Sequence, residues 1–148
     1  MTYSLTDSGY LIRIFKGEEI VATITDFCRN LSIGNAQVVG IGGVQNATLG
    51  FYDLNTRMYE FDTYQETMEI LSIIGNVSIL EDKPFLHAHV SLGKRDKSVI
   101  GGHLKEATVG GTCEIVMSVN DSPLQRTLDE ETGLSLWQLA ENYKTTIL

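Results

Sequence analysis

The 148-residue sequence predicts an α+β fold, in which one main helix covers a largely antiparallel β-sheet within a single compact domain. The apolar period changes once along the chain: a helical stripe begins at Ile20, and strand-like segments run from residue 36 to about residue 119. Fourteen glycines against two prolines, together with many β-branched residues, are typical of strands joined by tight turns. No internal repeat or linker divides the chain, and its length is sufficient to bury a core without disulfides.

The first predicted elements are a strand and the helix. Alternating apolar residues predict the strand at 10–15, and a Lys-Gly turn follows it. Glu18 and Glu19 suit the start of a helix, and Gly34 suits its end. Between them the apolar residues recur at helical spacing, at Ile20, Ile24, Phe27, Cys28 and Leu31.

The later strands are separated by Gly, Asn, Asp or Pro, and they favour an antiparallel sheet. We predict them at 36–44, 47–52, 57–61, 68–80, 85–92, 98–105 and 112–119. The Gly-Ile-Gly-Gly motif at 40–43 lies inside a strand and opens no helix, so it indicates a bulge or close strand packing, not a phosphate loop.

The segment 120–148 follows the predicted core at 10–119 and belongs to the same domain, 1–148. Leu124, Leu128 and Leu134 are too apolar for a free tail, so we expect the segment to pack on the domain or on a neighbouring subunit. The sequence around Trp137 is compatible with a short helix or with an extended arm.

Charge and cysteine usage limit the possible partners. Eleven basic residues against nineteen acidic ones give a formal net charge of −8, which makes direct DNA binding doubtful. The basic cluster of Lys94, Arg95 and Lys97, with Lys105 nearby, predicts a solvated hairpin tip.

Neither a leader-like start nor a membrane-length apolar stretch is evident, so we expect a cytoplasmic protein with no membrane partner. We expect the two cysteines, Cys28 and Cys113, to be buried thiols.

The three histidines of the chain lie within seventeen residues of one another. In the strand 85–92 the two-residue period places Leu86, Ala88, Val90 and Leu92 on the core face, which leaves His87 and His89 together on the opposite face. If 85–92 and 98–103 form a hairpin with a loop at 93–97, His103 faces His87 directly, and a register two residues away keeps His103 on the same face. Gly101 and Gly102 would permit a bulge or a close backbone approach.

Three imidazoles at cross-strand spacing can close on a divalent ion such as zinc, nickel, iron or copper. Zinc is the first expectation, and a fourth coordination position stays open for water, a carboxylate or a substrate. Candidate outer-shell acids are Glu69, Glu106 and Glu114. The alternative is structural: the histidines line a polar subunit interface or bind an adventitious anion.

Six motifs together resemble the plants and prokaryotes conserved (PPC) domain family over about 10–119. They occur in this order along the chain: Gly40-Ile-Gly-Gly-Val44, Leu49-Gly-Phe-Tyr-Asp53, Glu69-Ile-Leu-Ser-Ile-Ile-Gly-Asn76, Leu86-His-Ala-His-Val90, Gly101-Gly-His-Leu104 and Thr112-Cys-Glu-Ile-Val116.

The resemblance implies a single α+β domain, assembly as a homotrimer, and a metal held by His87, His89 and His103. Plant members of the family join this domain to an AT-hook that binds A·T-rich DNA. This chain has no Arg-Gly-Arg-Pro core of an AT-hook, and Glu66-Thr-Met-Glu-Ile70 lacks the basic residue of the corresponding plant stretch.

Two functions of different classes remain open at this point. The first is a regulatory or DNA-associated binding module, trimeric and metal-holding, that acts through a protein partner or a small ligand. The second is a metal-dependent hydrolase or lyase that uses the open coordination position, with Glu69 or Glu114 as the general base.

Overall fold

Ten elements are present in residues 1–139, the part of the chain that the computed structural model describes. The helix is α1 (Ile20–Asn30). The strands are β1 (Thr2–Thr6), β2 (Gly9–Phe15), β3 (Ala36–Asp53), β4 (Met58–Tyr64), β5 (Met68–Leu80), β6 (Lys83–Gly93), β7 (Val99–Val119), β8 (Arg126–Leu128) and β9 (Ser135–Trp137). The predicted α+β class is confirmed: one helix packs on a large antiparallel sheet.

The seven strands β1 to β7 form one sheet in the order β1-β2-β7-β6-β5-β3-β4, and β7 also pairs with β3. The β3–β7 ladder runs from Ala36 opposite Val119 to Gly50 opposite His103. Because β3 also pairs with β5, β5 with β6, and β6 with β7, these four strands close into a ring. Two further strands pair with members of the ring: β2 with β7, and β4 with β3.

Two long strands replace four predicted short ones. Segments 36–44 and 47–52 form one strand, β3, and segments 98–105 and 112–119 form β7. The β3–β7 register shifts at three places, including one between Gly42 and Val44. Such irregularities bend a strand without ending it, so the stretches 45–46 and 106–111, which separated the predicted strands, are irregular parts of continuous strands.

The hairpin of β1 and β2 was not predicted from the sequence. Thr2 to Thr6 pair with Gly9 to Arg13 in regular antiparallel register. The alternation of Tyr3 and Leu5 before an Asp-Ser-Gly turn is the signal that could have located it.

Helix α1 begins where the sequence predicted and ends earlier. The Glu19 carboxylate caps it by accepting from the Val21 N–H at 3.0 Å, and it also accepts from the Ala107 N–H of β7 at 2.9 Å. Leu31 is the C-cap and Ser32 has a φ of 55°, so the chain leaves the helix before Gly34. The left-handed position that Gly34 was expected to supply is therefore taken by Ser32.

The core lies between α1 and the inner face of the ring. The inward positions predicted for β6, from Leu86 to Leu92, are buried. Cys28 and Cys113 are free buried thiols, as predicted, and burial raises the pKa of each to about 12. Leu31, expected on the buried stripe of α1, is exposed because the helix ends there.

The described part of the C-terminal segment is extended. Arg126–Leu128 and Ser135–Trp137 form the hairpin β8–β9, so a helix around Trp137 is wrong. The hairpin contacts the chain's own β5, where the Trp137 indole donates to the Asn76 side-chain oxygen at 3.3 Å. The remainder of the predicted segment, 140–148, lies outside the described residues.

Candidate metal centre

Strand β6 places His87 and His89 on the outer face of the sheet. Successive side chains of a strand point to opposite faces, and Leu86, Ala88 and Val90 occupy the core face. His87 is half-buried and His89 is exposed. The alternation of β6 is therefore as the sequence predicted.

Strand β7 supplies the third imidazole, in a register two residues away from the direct pairing we predicted. The hairpin closes with Gly93 opposite Val99, so His103 lies opposite His89 instead of His87. A shift of two residues preserves the side-chain face, because the strand period is two. His103 consequently reaches the predicted face.

Close backbone approach brings β7 to its neighbours just before His103. A Cβ atom on Gly101 would lie 2.7 Å from the Val90 carbonyl oxygen, and one on Gly102 would lie 2.8 Å from the Gly50 carbonyl oxygen. The β6–β7 ladder has no register shift at these two glycines. Of the two alternatives for Gly101 and Gly102, close approach is the one observed.

The three imidazoles converge. The ring centres of His87 and His103 are 5.2 Å apart, those of His87 and His89 are 5.3 Å apart, and those of His89 and His103 are 5.6 Å apart. One ligand nitrogen of each ring lies within 4.8 Å of the other two. Three nitrogens at this spacing are within reach of a single ion.

The environment keeps two of these imidazoles neutral at pH 7. Burial, the Arg126 guanidinium and the other two histidines lower the pKa of His87 to about 4. Burial and His89 lower the pKa of His103. A neutral imidazole offers a nitrogen lone pair to a metal, so the site is prepared for coordination.

One atom of the cluster lacks a hydrogen-bond partner. The Nδ1 of His103 is buried and has no partner among the described residues. Buried polar atoms are normally satisfied, and an orphaned one calls for an explanation such as an ion or water at the site. A divalent cation, for which neutral imidazoles are good ligands, fits this donor set.

Sequence reasoning missed Arg126 and Tyr59. The Arg126 Nη2 lies 3.5 Å from Nδ1 of His87, and the Tyr59 ring centre lies 4.9 Å from that of His103. Arg126 is the only basic residue between Asn120 and Leu139, which is the signal that could have marked it. Nothing in its local sequence points to a partner thirty-nine residues away.

The candidate outer-shell acids lie elsewhere. Glu106 accepts a hydrogen bond from the Thr48 hydroxyl at 3.0 Å, and Glu69 and Glu114 line two other surface depressions. None of the three belongs to the described lining of the cavity beside the histidines. The sequence could not fix these positions, because the distance of a side chain from the histidines depends on how the long strands β5 and β7 bend and pair.

A cavity of about 620 Å³ opens beside the three histidines. Its described walls come from strands β3 to β7, the β3–β4 turn and the C-terminal segment. They include Tyr52, Tyr59, Phe85 and Leu134. The site therefore combines a candidate metal centre with room for a small molecule.

The basic loop between β6 and β7 is at the hairpin tip, as predicted. The Lys94 ammonium pairs with the Glu66 carboxylate at 2.8 Å, and Asp96 accepts from the backbone and hydroxyl of Ser98. Part of the basic charge of the loop is thus matched by nearby carboxylates.

Within residues 1–139, no helix has the length and apolar character needed to cross a membrane.

The family model of the Plants and Prokaryotes Conserved domain, abbreviated PCC or PPC, matches residues 1–120. The match includes the β1–β2 hairpin, which lies mostly ahead of the stretch covered by the sequence motifs. No curated protein matches the chain significantly.

Several solved crystal structures are similar over nearly the whole chain. A metal-containing protein from Archaeoglobus fulgidus is 37% identical, with 93% of this chain and 97% of that chain covered and a TM-score of 0.83. A plant- and prokaryote-conserved (PPC) protein from Pyrococcus horikoshii is 35% identical, with 95% and 96% covered and a TM-score of 0.84. A protein from Bacteroides thetaiotaomicron, described as a "putative DNA binding protein", is 31% identical, with 93% and 96% covered and a TM-score of 0.90.

Proposed function

This chain belongs to the Plants and Prokaryotes Conserved domain family, and on that premise we propose that it is a homotrimeric binding module that holds a divalent metal at His87, His89 and His103. The observation that carries the proposal is the convergence of three imidazole nitrogens to within 4.8 Å of one another. The metal content of the Archaeoglobus fulgidus relative supports it.

Zinc is the metal we propose. Three imidazoles are a common ligand set for zinc, and they leave a fourth position free. When bound, the ion would supply a Lewis-acid position that water or a small ligand can occupy. The role of the protein is to hold neutral imidazoles against it, since burial lowers the pKa of His87 and His103.

The experiment is metal analysis by mass spectrometry on untagged, freshly purified protein. We expect about one equivalent of a divalent metal per chain, as a closed set of three ligands predicts. If the protein is purified without metal, reconstitution with Zn²⁺ followed by gel filtration should restore the same content. Absence of bound metal before and after reconstitution would refute the metal site.

Binding is favoured over catalysis by the position of the carboxylates. A metal-dependent hydrolase or lyase needs a general base within hydrogen-bond reach of the reacting group. Glu69 and Glu114, the candidates for that role, line other depressions. We propose a regulatory module that acts through a small ligand or a protein partner.

We propose that any association with DNA is indirect, in spite of the description of the Bacteroides relative. The chain carries a formal net charge of −8, and an assembly of several copies multiplies that charge. Lys94, the first residue of the basic loop, is paired with Glu66. Binding to a duplex requires a surface of converging cations.

An exposed apolar row supports the proposed trimer. Leu11 pairs with Val116, Val116 with Val39, and Val39 with Ile74, so the four side chains cross four strands side by side. Each is between 41% and 60% exposed. Contiguous apolar patches of this kind mark interaction surfaces.

We expect the Val116→Lys variant to change from three chains per particle to one, because a charge would be buried in the interface without a partner. Size-exclusion chromatography with light scattering measures this change. Val99→Lys is the matched control, since Val99 is similarly exposed, at 56%, and lies at the hairpin tip. A Val116→Lys protein that stays trimeric would place the interface elsewhere.

A further inference from the structure

The cavity beside the histidines is cationic. Its described lining contains two arginines, Arg57 and Arg126, but no aspartate or glutamate. This composition contrasts with a chain in which acidic residues outnumber basic ones by nineteen to eleven. Clefts lined by charges of one sign concentrate ligands of the opposite sign.

Arg126 is a fixed positive charge. Its guanidinium donates to the Ser78 hydroxyl at 2.6 Å, to the Asn76 side-chain oxygen at 2.9 Å and to the Ser135 carbonyl at 2.7 Å. It also lies over the rings of Phe85 and Trp137, at 5.4 and 5.9 Å from their centres. All three acceptors are neutral, so no carboxylate of residues 1–139 compensates the charge.

Arg57 is the free cation of the cavity. It lies in the turn between β3 and β4, with a φ of 55°, and is exposed. Across the described part of the chain its guanidinium makes neither a hydrogen bond nor an ion pair. The Asp129 carboxylate accepts from the hydroxyl and backbone N–H of Thr132, and these hydrogen bonds, with a smaller contribution from the charge of Arg57, lower the pKa of Asp129. Asp129 forms no ion pair with Arg57. Arg57 therefore retains the paired N–H groups that bind a carboxylate in bidentate fashion.

Part of the wall is apolar. Leu80, Phe85, Leu134 and Leu136 line the same cavity. A ligand that filled about 620 Å³ would need both a charged group and an apolar body to satisfy these surfaces. An inorganic anion has the charge but lacks the apolar body.

We propose that this cavity binds a small organic acid, with its carboxylate on Arg57 near the fixed charge of Arg126 and its apolar body against Phe85 and the leucines. The inference rests on the proposed function as a small-ligand binding module and names the class of that ligand. It does not depend on the proposed metal. A bound divalent ion would add positive charge to the cavity, whereas the two arginines are present without it.

The test uses the untagged full-length protein and isothermal titration with three probes: cinnamate, its uncharged amide and inorganic phosphate. Each probe is titrated into chelator-treated protein and into Zn²⁺-loaded protein, and metal content is measured separately. We expect cinnamate to bind at least about tenfold more tightly than the amide or phosphate in both preparations, as a charge-assisted bidentate contact predicts.

The Arg57→Gln variant should weaken cinnamate binding about tenfold and leave the affinity for the amide unchanged. Arg95→Gln, the same substitution at an exposed residue of the hairpin loop, should change neither affinity.

Equal affinity for cinnamate and its amide would overturn the proposal, as would phosphate binding as tightly as cinnamate, or binding that Arg57→Gln does not affect. These outcomes leave a measured metal content intact. Cinnamate binding by chelator-treated protein that takes up no Zn²⁺ would refute the metal site and uphold the organic-acid site.

Discussion

The His103→Ala variant is expected to retain less than about a tenth of an equivalent of metal per chain, against about one equivalent in the unmodified protein. Removal of one of three protein ligands leaves only His87 and His89, and two imidazoles on one strand cannot close the coordination sphere. Mass spectrometry of both proteins after identical reconstitution measures the difference.

The fold should survive this substitution. The Nδ1 of His103 has no hydrogen-bond partner among the described residues, so alanine breaks no bond through that atom. Ser91→Ala, on the same outer face of β6, is the control and should keep the full metal content. A folded His103→Ala protein with one equivalent of metal would show that His103 is not a ligand.

The Gly42→Ala variant is expected to lose about 3 kcal/mol of the free energy of unfolding, or more, because steric overlap and backbone strain add. Gly42 has a φ of 154°, and a Cβ atom there would lie 2.2 Å from the Thr112 carbonyl oxygen and 2.7 Å from the Cys113 Cα. Both contacts are with backbone of β7, so no side-chain rotation relieves them. Urea unfolding followed by circular dichroism measures the loss.

Gly111→Ala is the matched control for Gly42→Ala. Nothing lies within 4 Å of a Cβ atom on Gly111, and its φ is outside the range that side chains avoid. We expect it to change the free energy of unfolding by less than about 1 kcal/mol. Similar losses in the two variants would mean that the close approach of β3 and β7 at Gly42 does not limit stability.

The local features of the site could be predicted from the sequence. Alternation in β6 determines which face carries His87 and His89, because this property depends only on neighbouring residues. The pairing of His103 was wrong by two residues, since the hairpin closes at Gly93 and Val99, one residue later on each side than we predicted. A register error of two residues leaves His103 on the correct face of the sheet, because the strand period is two. The same error changes which histidine lies opposite His103.

Long-range features could not be predicted. The continuous β3 and β7 were each predicted as two strands, because Gln45-Asn46 and the stretch 106–111, which contains Gly110 and Gly111, interrupt the strand pattern. Residues of this kind mark turns in isolated hairpins but bends in a closed ring. Arg126 reaches the site from a segment with weak local pattern, through contacts with Asn76 and Ser78. Such contacts depend on how the hairpin β8–β9 packs on β5, which no short-range periodicity encodes.

The ladder between β3 and β7 also determines how the chain reaches its native state. At one end of the ladder Ala36 pairs with Val119, and more than half of the chain lies between these two residues. Closure of so large a loop costs entropy before any pairing repays it, and proteins dominated by such contacts refold in milliseconds to seconds. The three imidazoles do not depend on this ladder, because the hairpin of β6 and β7 pairs His103 with His89 across a short loop and can form before the ladder closes.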